Sequence, residues 1–317
     1  MKHLFIVNPT AGGSDKTAEV RQKVEAAFRG RDEGYEIYVT RAPMDAAEKI
    51  RNEAEGGESL RVYACGGDGT FNECVCGAAL KSNVAVCPFP TGTGNDFCRM
   101  FGPDKDLFRD LDALLDGAVR PIDLIECNGR YSANICSVGI DARIGTSVHK
   151  YSKLPLIGGA GGYVVSAAVN MFKGIATAMH IRCGDFDRWD RYSLVCACNG
   201  RYYGGGFNPS PDARPDDGIM DVFVVRKVNI LQFAALIGKY AAGKADEMPQ
   251  YITHLRSGES LEIDFEKEDV VNIDGEALYT DKVCMRMVPR ALNLIVPRGL
   301  RFFEQAGPES DADRSAV

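Results

Sequence analysis

The first third of the chain alternates short strand-like runs with segments whose apolar residues recur at helical spacing. The strand-like runs occupy Leu4–Val7, Tyr35–Thr40, Leu60–Cys65 and Val84–Cys87. The segments between them, 17–28, 46–54 and 70–80, have a helical pattern. Because strands that alternate with helices at this spacing form βαβ units, the pattern predicts a parallel sheet covered by helices.

The pattern changes near Pro121, after which short strand-like runs dominate. They occupy 121–127, 131–138, 179–183, 192–199, 220–225, 260–265, 270–273, 282–288 and 291–296. Two predicted helices interrupt them, one from about Tyr163 to Met179 and one over Ile230–Ala242. Many short strands separated by turns are typical of an antiparallel sandwich. We therefore predict an α/β domain over 1–122 and a β-rich domain over 123–297.

Composition narrows the classes of protein without naming one. The 317 residues are 45% apolar and 26% charged, as in ordinary globular proteins, and the net charge of −7 disfavours a nucleic-acid partner. Eleven cysteines without a C-x-x-C pair favour free thiols in a reducing cytoplasm over a metal cluster. The uncharged run 154–172 is diluted by proline and glycine, which favours a buried or amphipathic helix over a membrane span. The polar residues 306–317 are expected to be a disordered tail.

Two glycine-bearing turns follow neighbouring strands and suggest a phosphate site. Gly66–Thr70 lies between a strand and a helix, where glycines allow a close backbone approach and the helix N-terminus favours an anion. Pro90–Asp96 follows the next strand, while Asn8–Gly13 and Thr40 also leave strand ends. Loops at the carboxyl ends of parallel strands line one crevice, so we expect one nucleotide site. The alternative is a set of tight turns without a ligand. The P-loop and the dinucleotide fingerprint are both missing from the sequence.

Several motifs carry a resemblance to a known family. Gly66–Glu73 is GGDGTFNE and Pro90–Phe97 is PTGTGNDF, and together they resemble the diacylglycerol kinase catalytic-domain family, especially the bacterial soluble diacylglycerol and related lipid kinases. Further matches occur at Asn8-Pro9, Gly12, 122–124, Asn134, 137–141, 199–200, 204–207, 211–213, 216–218 and 274–276. The similarity spans residues 3–303. GGDGT alone is shared with NAD kinases and phosphofructokinases, whereas its pairing with the second motif is more specific.

The resemblance implies a fold and an activity. The fold is an N-terminal NAD-kinase-like α/β nucleotide-binding domain and a C-terminal antiparallel β-sandwich domain, with the chemistry in the cleft between them and with 298–305 returning to the first domain. The activity is transfer of the γ-phosphate of ATP to a lipid hydroxyl, with Mg²⁺. The expected reaction converts diacylglycerol to phosphatidic acid in phospholipid biosynthesis. The enzyme is then expected to be cytoplasmic, peripherally associated with the membrane and a homodimer.

The resemblance also assigns roles to individual residues. The expected ATP contacts are Asn8, Pro9, Thr10, Thr40, Gly66, Gly67, Asp68, Gly69, Thr70, Asn72, Thr93 and Asn95. Asp68 is expected to help place the magnesium–phosphate assembly; the alternative is a helix cap. Glu276 is expected to be the general base with Asp274 as its neighbour, although a D-G pair is also a common turn. Family members often have proline after this glutamate, where this chain has Ala277.

A structural magnesium site and a membrane contact complete the expectations. Asp217 resembles a magnesium ligand that acts with the backbone carbonyls of Arg214 and Ile219; the alternative is a plain D-D-G turn. Membrane contact is expected through Arg143, Lys150, Lys153 and the stretch after Leu154.

Two other functions remain open from the sequence. An NAD kinase-type metabolite kinase would explain GGDGT but not Pro90–Phe97. A non-catalytic lipid- or nucleotide-binding regulator would need a broken site, whereas all three acidic and glycine-bearing motifs are intact.

Overall fold

A computed structural model of the chain describes residues 1–92, 95–140, 142–145, 175–258 and 260–304. The chain divides into two units, Met1–Asp123 with the residues from Pro289 onward, and Leu124–Val288. The return to the first unit begins at Pro289, earlier than the residue 298 expected from the sequence. It begins there because Asn293 and Leu294, near the end of a long strand, pair with a strand of the first unit.

The first unit is built on a parallel sheet. Its strands are β1 (Lys2–Val7), β2 (Gly34–Val39), β3 (Leu60–Gly66), β4 (Val84–Pro90) and the end of β13 (Glu276–Val296), in the order β13-β4-β3-β1-β2. Each neighbouring pair is parallel. The helices are α1 (Thr17–Ala27), α2 (Asp45–Ala54), α3 (Asp68–Ala78), α4 (Asp96–Arg99) and α5 (Leu111–Leu115). The predicted α/β nucleotide-binding-type fold is confirmed.

Burial explains why these segments form this sheet. Every residue of β3 and β4 is buried, as expected for parallel strands that are covered on both faces. The helix α2 buries alanines on the side that faces α3. At Gly77 in α3, a Cβ would lie 2.9 Å from the Cα of Ala47, so glycine is required for this close helix packing.

The second unit consists mainly of antiparallel strands. They are β5 (Ala118–Cys127), which crosses the boundary, β6 (Arg130–Ser132), β7 (Ile135–Gly139), β8 (Thr177–Cys183), β9 (Phe186–Cys198), β10 (Met220–Arg226), β11 (Ile252–Ser257), β12 (Ser260–Ile273) and the first part of β13. They follow the order β11-β10-β9-β7-β12-β13, and β8 pairs with both β9 and β12. The helix α6 (Ile230–Ala241) also belongs to this unit. The predicted antiparallel β-sandwich class is confirmed.

The structure differs from the predicted elements at several points. The run 131–138 is two strands, and the segments 260–273 and 276–296 are each one strand where two were predicted. The predicted helix ending at Met179 is wrong over Thr177–Met179, because these residues begin β8 and pair with Tyr192, Arg191 and Asp190. Ile175 and Ala176 are not helical either, whereas residues 163–174 and the tail 306–317 lie outside the described residues. In the described part of the chain, no helix is both long and apolar enough to cross a bilayer.

Candidate active site

Four loops of the first unit leave the same edge of the parallel sheet, because parallel strands all end on one side. The loops begin after β1, β2, β3 and β4, at Asn8, Thr40, Gly67 and Thr91. Backbone hydrogen bonds join neighbouring loop starts. The Thr40 N–H donates to the Val7 carbonyl at 2.9 Å, and the Thr91 N–H donates to the Gly66 carbonyl at 3.3 Å. The candidate nucleotide loops therefore start from one hydrogen-bonded edge.

The loop after β1 is tied to the glycine-rich turn by side chains. The Asn8 carboxamide oxygen accepts from the N–H and hydroxyl of Thr10, at 3.0 and 2.8 Å. The Asn8 Nδ2 atom donates to the Thr70 hydroxyl at 3.2 Å. The Thr70 side chain in turn lies against Gly66, where a Cβ would be 2.3 Å from Thr70 Oγ1. The first glycine of GGDGT is therefore fixed by packing as well as by backbone freedom.

Asp68 connects the two glycine-bearing motifs. Its carboxylate accepts from the Asp96 N–H at 2.9 and 3.1 Å and from the Phe97 N–H at 3.4 Å. Both donors lie at the start of α4. Asp68 thus caps α4, whereas the sequence alternative placed it as the cap of its own helix α3, whose N-cap Gly67 has no side-chain bond. Its carboxylate holds the start of α4 beside the GGDGT turn.

A glycine contact and an arginine complete this edge. At Gly12, which has a φ of +70°, a Cβ would lie 3.5 Å from the Cα of Gly92, so the first and fourth loops approach through two glycines. Arg109 Nη2 donates to the Gly92 carbonyl at 2.9 Å. Sequence reasoning missed Arg109, because no local motif marks an arginine 17 residues along the chain as a partner of Gly92.

Other predicted ATP contacts lie deeper or outside the described part. Asn72 is buried in the second turn of α3, and its oxygen lies 3.8 Å from the Cys76 sulfur. Asn95 is 8% exposed, and among the described residues its Nδ2 atom has no hydrogen-bond partner. Thr93 lies outside the described residues. The structure therefore brings together Asn8, Thr10, Thr40 and 66–70, with Asn95 beside them in the chain segment that Asp68 holds.

The acidic turn of the second unit joins β12 to β13. Asp274 has a φ of +49° and Gly275 a φ of +99°. The Asp274 carboxylate accepts from the Ser132 hydroxyl at 2.6 Å and from the N–H groups of Ala133 at 2.9 Å and Ile135 at 2.8 Å. These hydrogen bonds use both oxygens of the Asp274 carboxylate and anchor the turn.

The segment that holds Asp274 is itself braced by another motif. The Asn134 carbonyl accepts from the N–H groups of Asn199 and Gly200, at 2.9 and 2.8 Å. Asn199 Nδ2 donates to the Ala133 carbonyl at 2.8 Å. Glu276 is exposed, and within the described part of the chain its side chain forms no hydrogen bond. These hydrogen bonds fix Asp274, and Glu276 is the accessible carboxylate of the turn.

The residues predicted to bind a structural magnesium ion lie on one short turn. Asp217 Oδ1 accepts from the Ile219 N–H at 3.0 Å, and Arg256 Nη2 lies 3.7 Å from Asp217 Oδ2. Arg214 pairs with Asp216 at 3.1 Å. In the described residues, no group of three His, Cys, Asp or Glu side chains is suited to a metal. One carboxylate with backbone carbonyls is an all-oxygen donor set of the type that magnesium accepts.

The buried cysteines of the first unit are not nucleophiles. Four thiols lie buried in the first unit at Cys65, Cys74, Cys87 and Cys98. Burial raises the pKa of each of them well above its usual value. They remain protonated at neutral pH and act as small apolar side chains.

Comparison with known protein families matches both units. Residues 2–127 match the diacylglycerol kinase catalytic domain, and residues 134–296 match the YegS C-terminal NAD kinase beta sandwich-like domain. Together these matches cover most of the chain.

Individual relatives match along nearly their full length. The chain is 30% identical to "Diacylglycerol kinase" of Bacillus subtilis, over 86% of this chain and 88% of the relative. It is 27% identical to "Probable lipid kinase YegS-like" of Shewanella frigidimarina, over 90% of this chain and 92% of the relative. A crystal structure of a diacylglycerol kinase from Bacillus anthracis superimposes with a TM-score of 0.68 and 26% identity, covering 94% of this chain and 98% of that one.

These matches agree with the linked glycine-bearing loops and the anchored acidic turn. Membership of a kinase family implies ATP as the phosphate donor. The chain belongs to the diacylglycerol kinase catalytic-domain family and is a lipid kinase.

Proposed function

We propose that this lipid kinase transfers the γ-phosphate of ATP to the free hydroxyl of diacylglycerol and so forms phosphatidic acid. The proposal depends mainly on the difference between the two carboxylates of the acidic turn. Asp274 is held by Ser132, Ala133 and Ile135, while Glu276 two residues later is exposed. A general base has to be held in position while its oxygens stay free to accept a proton. An anchored turn with one accessible carboxylate meets both requirements.

The chemistry assigned to Glu276 is a single proton transfer. Its carboxylate accepts the hydroxyl proton as the lipid oxygen forms a bond to the γ-phosphorus of ATP. The bond between the γ-phosphorus and the β,γ-bridging oxygen breaks, and ADP leaves with that oxygen. The proton then passes from Glu276 to solvent. Asp274 acts as a positioning residue, because its oxygens already accept hydrogen bonds.

The loops of the first unit supply the phosphate contacts in this proposal. The first N–H groups of a helix have no acceptor within the helix, so the start of α3 at Asp68 offers donors to a phosphate. Asn95 Nδ2 contributes a side-chain donor. The hydroxyls of Thr10 and Thr40 donate to Asn8 Oδ1 and to the Val7 carbonyl, and in this proposal they change acceptor when the phosphate binds. When bound, Mg²⁺ neutralises charge on the phosphates, and Asp68 is the carboxylate of this edge that would help to hold it.

A lipid extract and labelled ATP test the function directly. We expect labelled phosphatidic acid as the product, and Glu276→Gln should lower kcat by about 100- to 10,000-fold with nucleotide affinity unchanged. Asp281→Asn, an exposed carboxylate further along β13, is the matched control and should keep wild-type activity. Phosphorylation of NAD without any lipid product would contradict the proposal, and a different labelled lipid would replace diacylglycerol as the substrate.

The second metal role is tested without turnover. Asp217, with the carbonyls of Arg214 and Ile219, is proposed to hold a structural Mg²⁺ ion. Added Mg²⁺ should then raise the Tm of the wild-type protein, and Asp217→Asn should abolish this increase while Asp212→Asn, an aspartate on a neighbouring turn, keeps it. An equal increase in all three proteins would contradict the assignment.

The substrate requires contact with a membrane surface, since diacylglycerol resides in bilayers. Of the residues expected to make this contact, Arg143 is bonded to Asp269 through Nε at 3.1 Å and lies at 19% side-chain exposure. Its charge is therefore satisfied inside the protein. Lys150, Lys153 and 154–172 lie outside the described residues.

A further inference from the structure

The helix α6 is apolar on its outer side as well as its inner side. Its twelve residues, ILQFAALIGKYA, include one charged side chain, and Tyr240 is the only buried residue. Leu231 is 82% exposed and Ile230 is 50% exposed. A helix on the surface of a globular protein normally carries polar residues outward. A cluster of exposed aliphatic side chains indicates a contact surface.

An open cleft that contains two cations lies beside the first turn of α6. Its volume is about 520 Å³, and it is lined by Ile175, Val228, Ile230, Leu231, Arg191 and Lys227 among others. The Lys227 N–H donates to the Arg191 carbonyl at 3.0 Å, so the two cations come from adjacent segments. Arg191 Nη2 donates to the Ala176 carbonyl at 2.8 Å, and among the described residues neither cation forms an ion pair with a carboxylate. The aliphatic side chains suit the acyl chains of an anionic lipid, and the two cations beside them suit its phosphate group.

An exposed tryptophan extends the same region. Trp189 is 53% exposed on β9, and it shares a face of the strand with Arg191 two residues later. It is the only tryptophan in the chain. Asp187 lies on the same face, and its carboxylate contacts His180 at 2.5 Å. Tryptophan favours the boundary between water and hydrocarbon, because its ring is apolar and its N–H is polar.

We propose that Trp189, Arg191, Lys227, Ile230 and Leu231 form a docking surface for the anionic face of a lipid bilayer. Ile230 and Leu231 enter the boundary of the acyl chains, the two cations meet the lipid phosphates, and Trp189 lies at the interface. This inference rests on the proposed function, which requires a lipid surface, and it adds where the protein meets that surface. It uses residues different from those expected in the sequence.

The single tryptophan makes the first experiment possible on the unmodified protein. On addition of phosphatidylcholine vesicles that contain phosphatidylglycerol, the emission of Trp189 should shift to shorter wavelength, and brominated lipids should quench it. Binding should weaken at high salt, since each cation contributes about fivefold in affinity near an anionic surface. Vesicle binding with unchanged tryptophan emission would overturn the proposal.

Variants test the same surface by sedimentation with those vesicles. Leu231→Asp should lower the vesicle affinity about tenfold, because it removes an exposed apolar side chain that the bilayer would bury and adds a negative charge that the anionic lipids repel. Acidic residues are favourable in the first turn of a helix, so the fold of α6 should be retained, and circular dichroism checks this. Leu80→Asp is the matched control, at a leucine of the first unit that is 64% exposed, and should bind like wild type. Equal affinities for both variants would contradict the docking surface.

A charge variant and two substrate forms separate docking from catalysis. Arg191→Gln combined with Lys227→Gln should flatten the salt dependence of vesicle binding. Leu231→Asp should lose activity on diacylglycerol in vesicles but keep it on a short-chain diacylglycerol dissolved as monomers.

If the wild-type protein phosphorylates neither form, the proposed function fails while the fluorescence experiment still decides the docking surface. If the tryptophan emission instead shifts with protein concentration in the absence of lipid, the surface joins two copies of the chain, and the membrane proposal is wrong.

Discussion

His3 is fully buried in β1, with its Nδ1 atom 2.9 Å from the Tyr63 hydroxyl and its ring stacked on Tyr63. Burial, the largest cause, lowers the pKa of His3 to about 4. The folded state therefore holds a neutral imidazole that the unfolded chain would protonate below about pH 6.5. This histidine serves the stability of the first unit and takes no part in the candidate chemistry.

The lowered pKa predicts acid sensitivity of the first unit. Because the folded pKa lies below the unfolded one, the stabilisation is complete above about pH 6.5 and is lost as the pH falls towards 4. The loss should amount to about 3 kcal/mol in the free energy of unfolding. Urea unfolding at several pH values measures it, and His3→Gln, which does not titrate, should show a shallower decline. Parallel declines in the two proteins would show that His3 is not the responsible group.

At the scale of elements, the hydrogen bonds from the start of α4 to Asp68 have a structural function besides metal binding, which is to hold the second motif beside GGDGT. Asp68→Asn keeps the shape of the side chain but weakens the charge-assisted bonds to the Asp96 and Phe97 N–H groups. We expect a loss of about 1 kcal/mol in stability, measured without nucleotide or metal, together with weaker ATP binding. The ATP effect follows because the second motif is no longer held beside GGDGT.

Asp110→Asn is the matched control for this prediction. Asp110 caps α5 by accepting from the Ala113 N–H at 3.1 Å, in the same unit. Its substitution should cost similar stability and leave ATP binding unchanged. If Asp68→Asn has wild-type stability in the absence of metal and nucleotide, then Asp68 acts through magnesium alone.

The strands β1, β3 and β4 were predictable because they are buried and therefore form continuous apolar runs, whereas β2 at the edge of the sheet is partly exposed. The short helices α4 and α5 were not predicted. The parallel order then places Asn8, Thr40 and Gly67 at one edge. The strand β11 was missed because its sequence, ITHLRS, alternates burial without an apolar run. The bonds of Asp68 to α4 and of Asp274 to residues 132–135 are long-range, and neither composition nor spacing encodes which distant N–H groups a carboxylate will accept from.

For the whole molecule, the long strand β13 makes the first unit dependent on the end of the chain. Asn293 and Leu294 pair with Ala85 and Val86 of β4, and the Arg290 N–H donates to the Asp123 carboxylate at 2.7 Å. The returning segment also contributes buried apolar side chains: Ala291, Leu292, Leu294, Ile295, Leu300 and Phe303. The first unit is therefore complete only after the second has been synthesised.

A chain that ends at Val288 should fail to fold its first unit. The six lost apolar side chains represent about 10 kcal/mol of burial, which is comparable with the whole stability of a domain. Trp189 lies in the second unit, so its fluorescence should still report a cooperative unfolding transition while helical circular dichroism and ATP binding are lost. A chain that ends at Glu304 retains the described contacts of the returning segment and should match the full-length protein in both signals. Retention of ATP binding by the chain that ends at Val288 would show that the first unit folds without the returning segment.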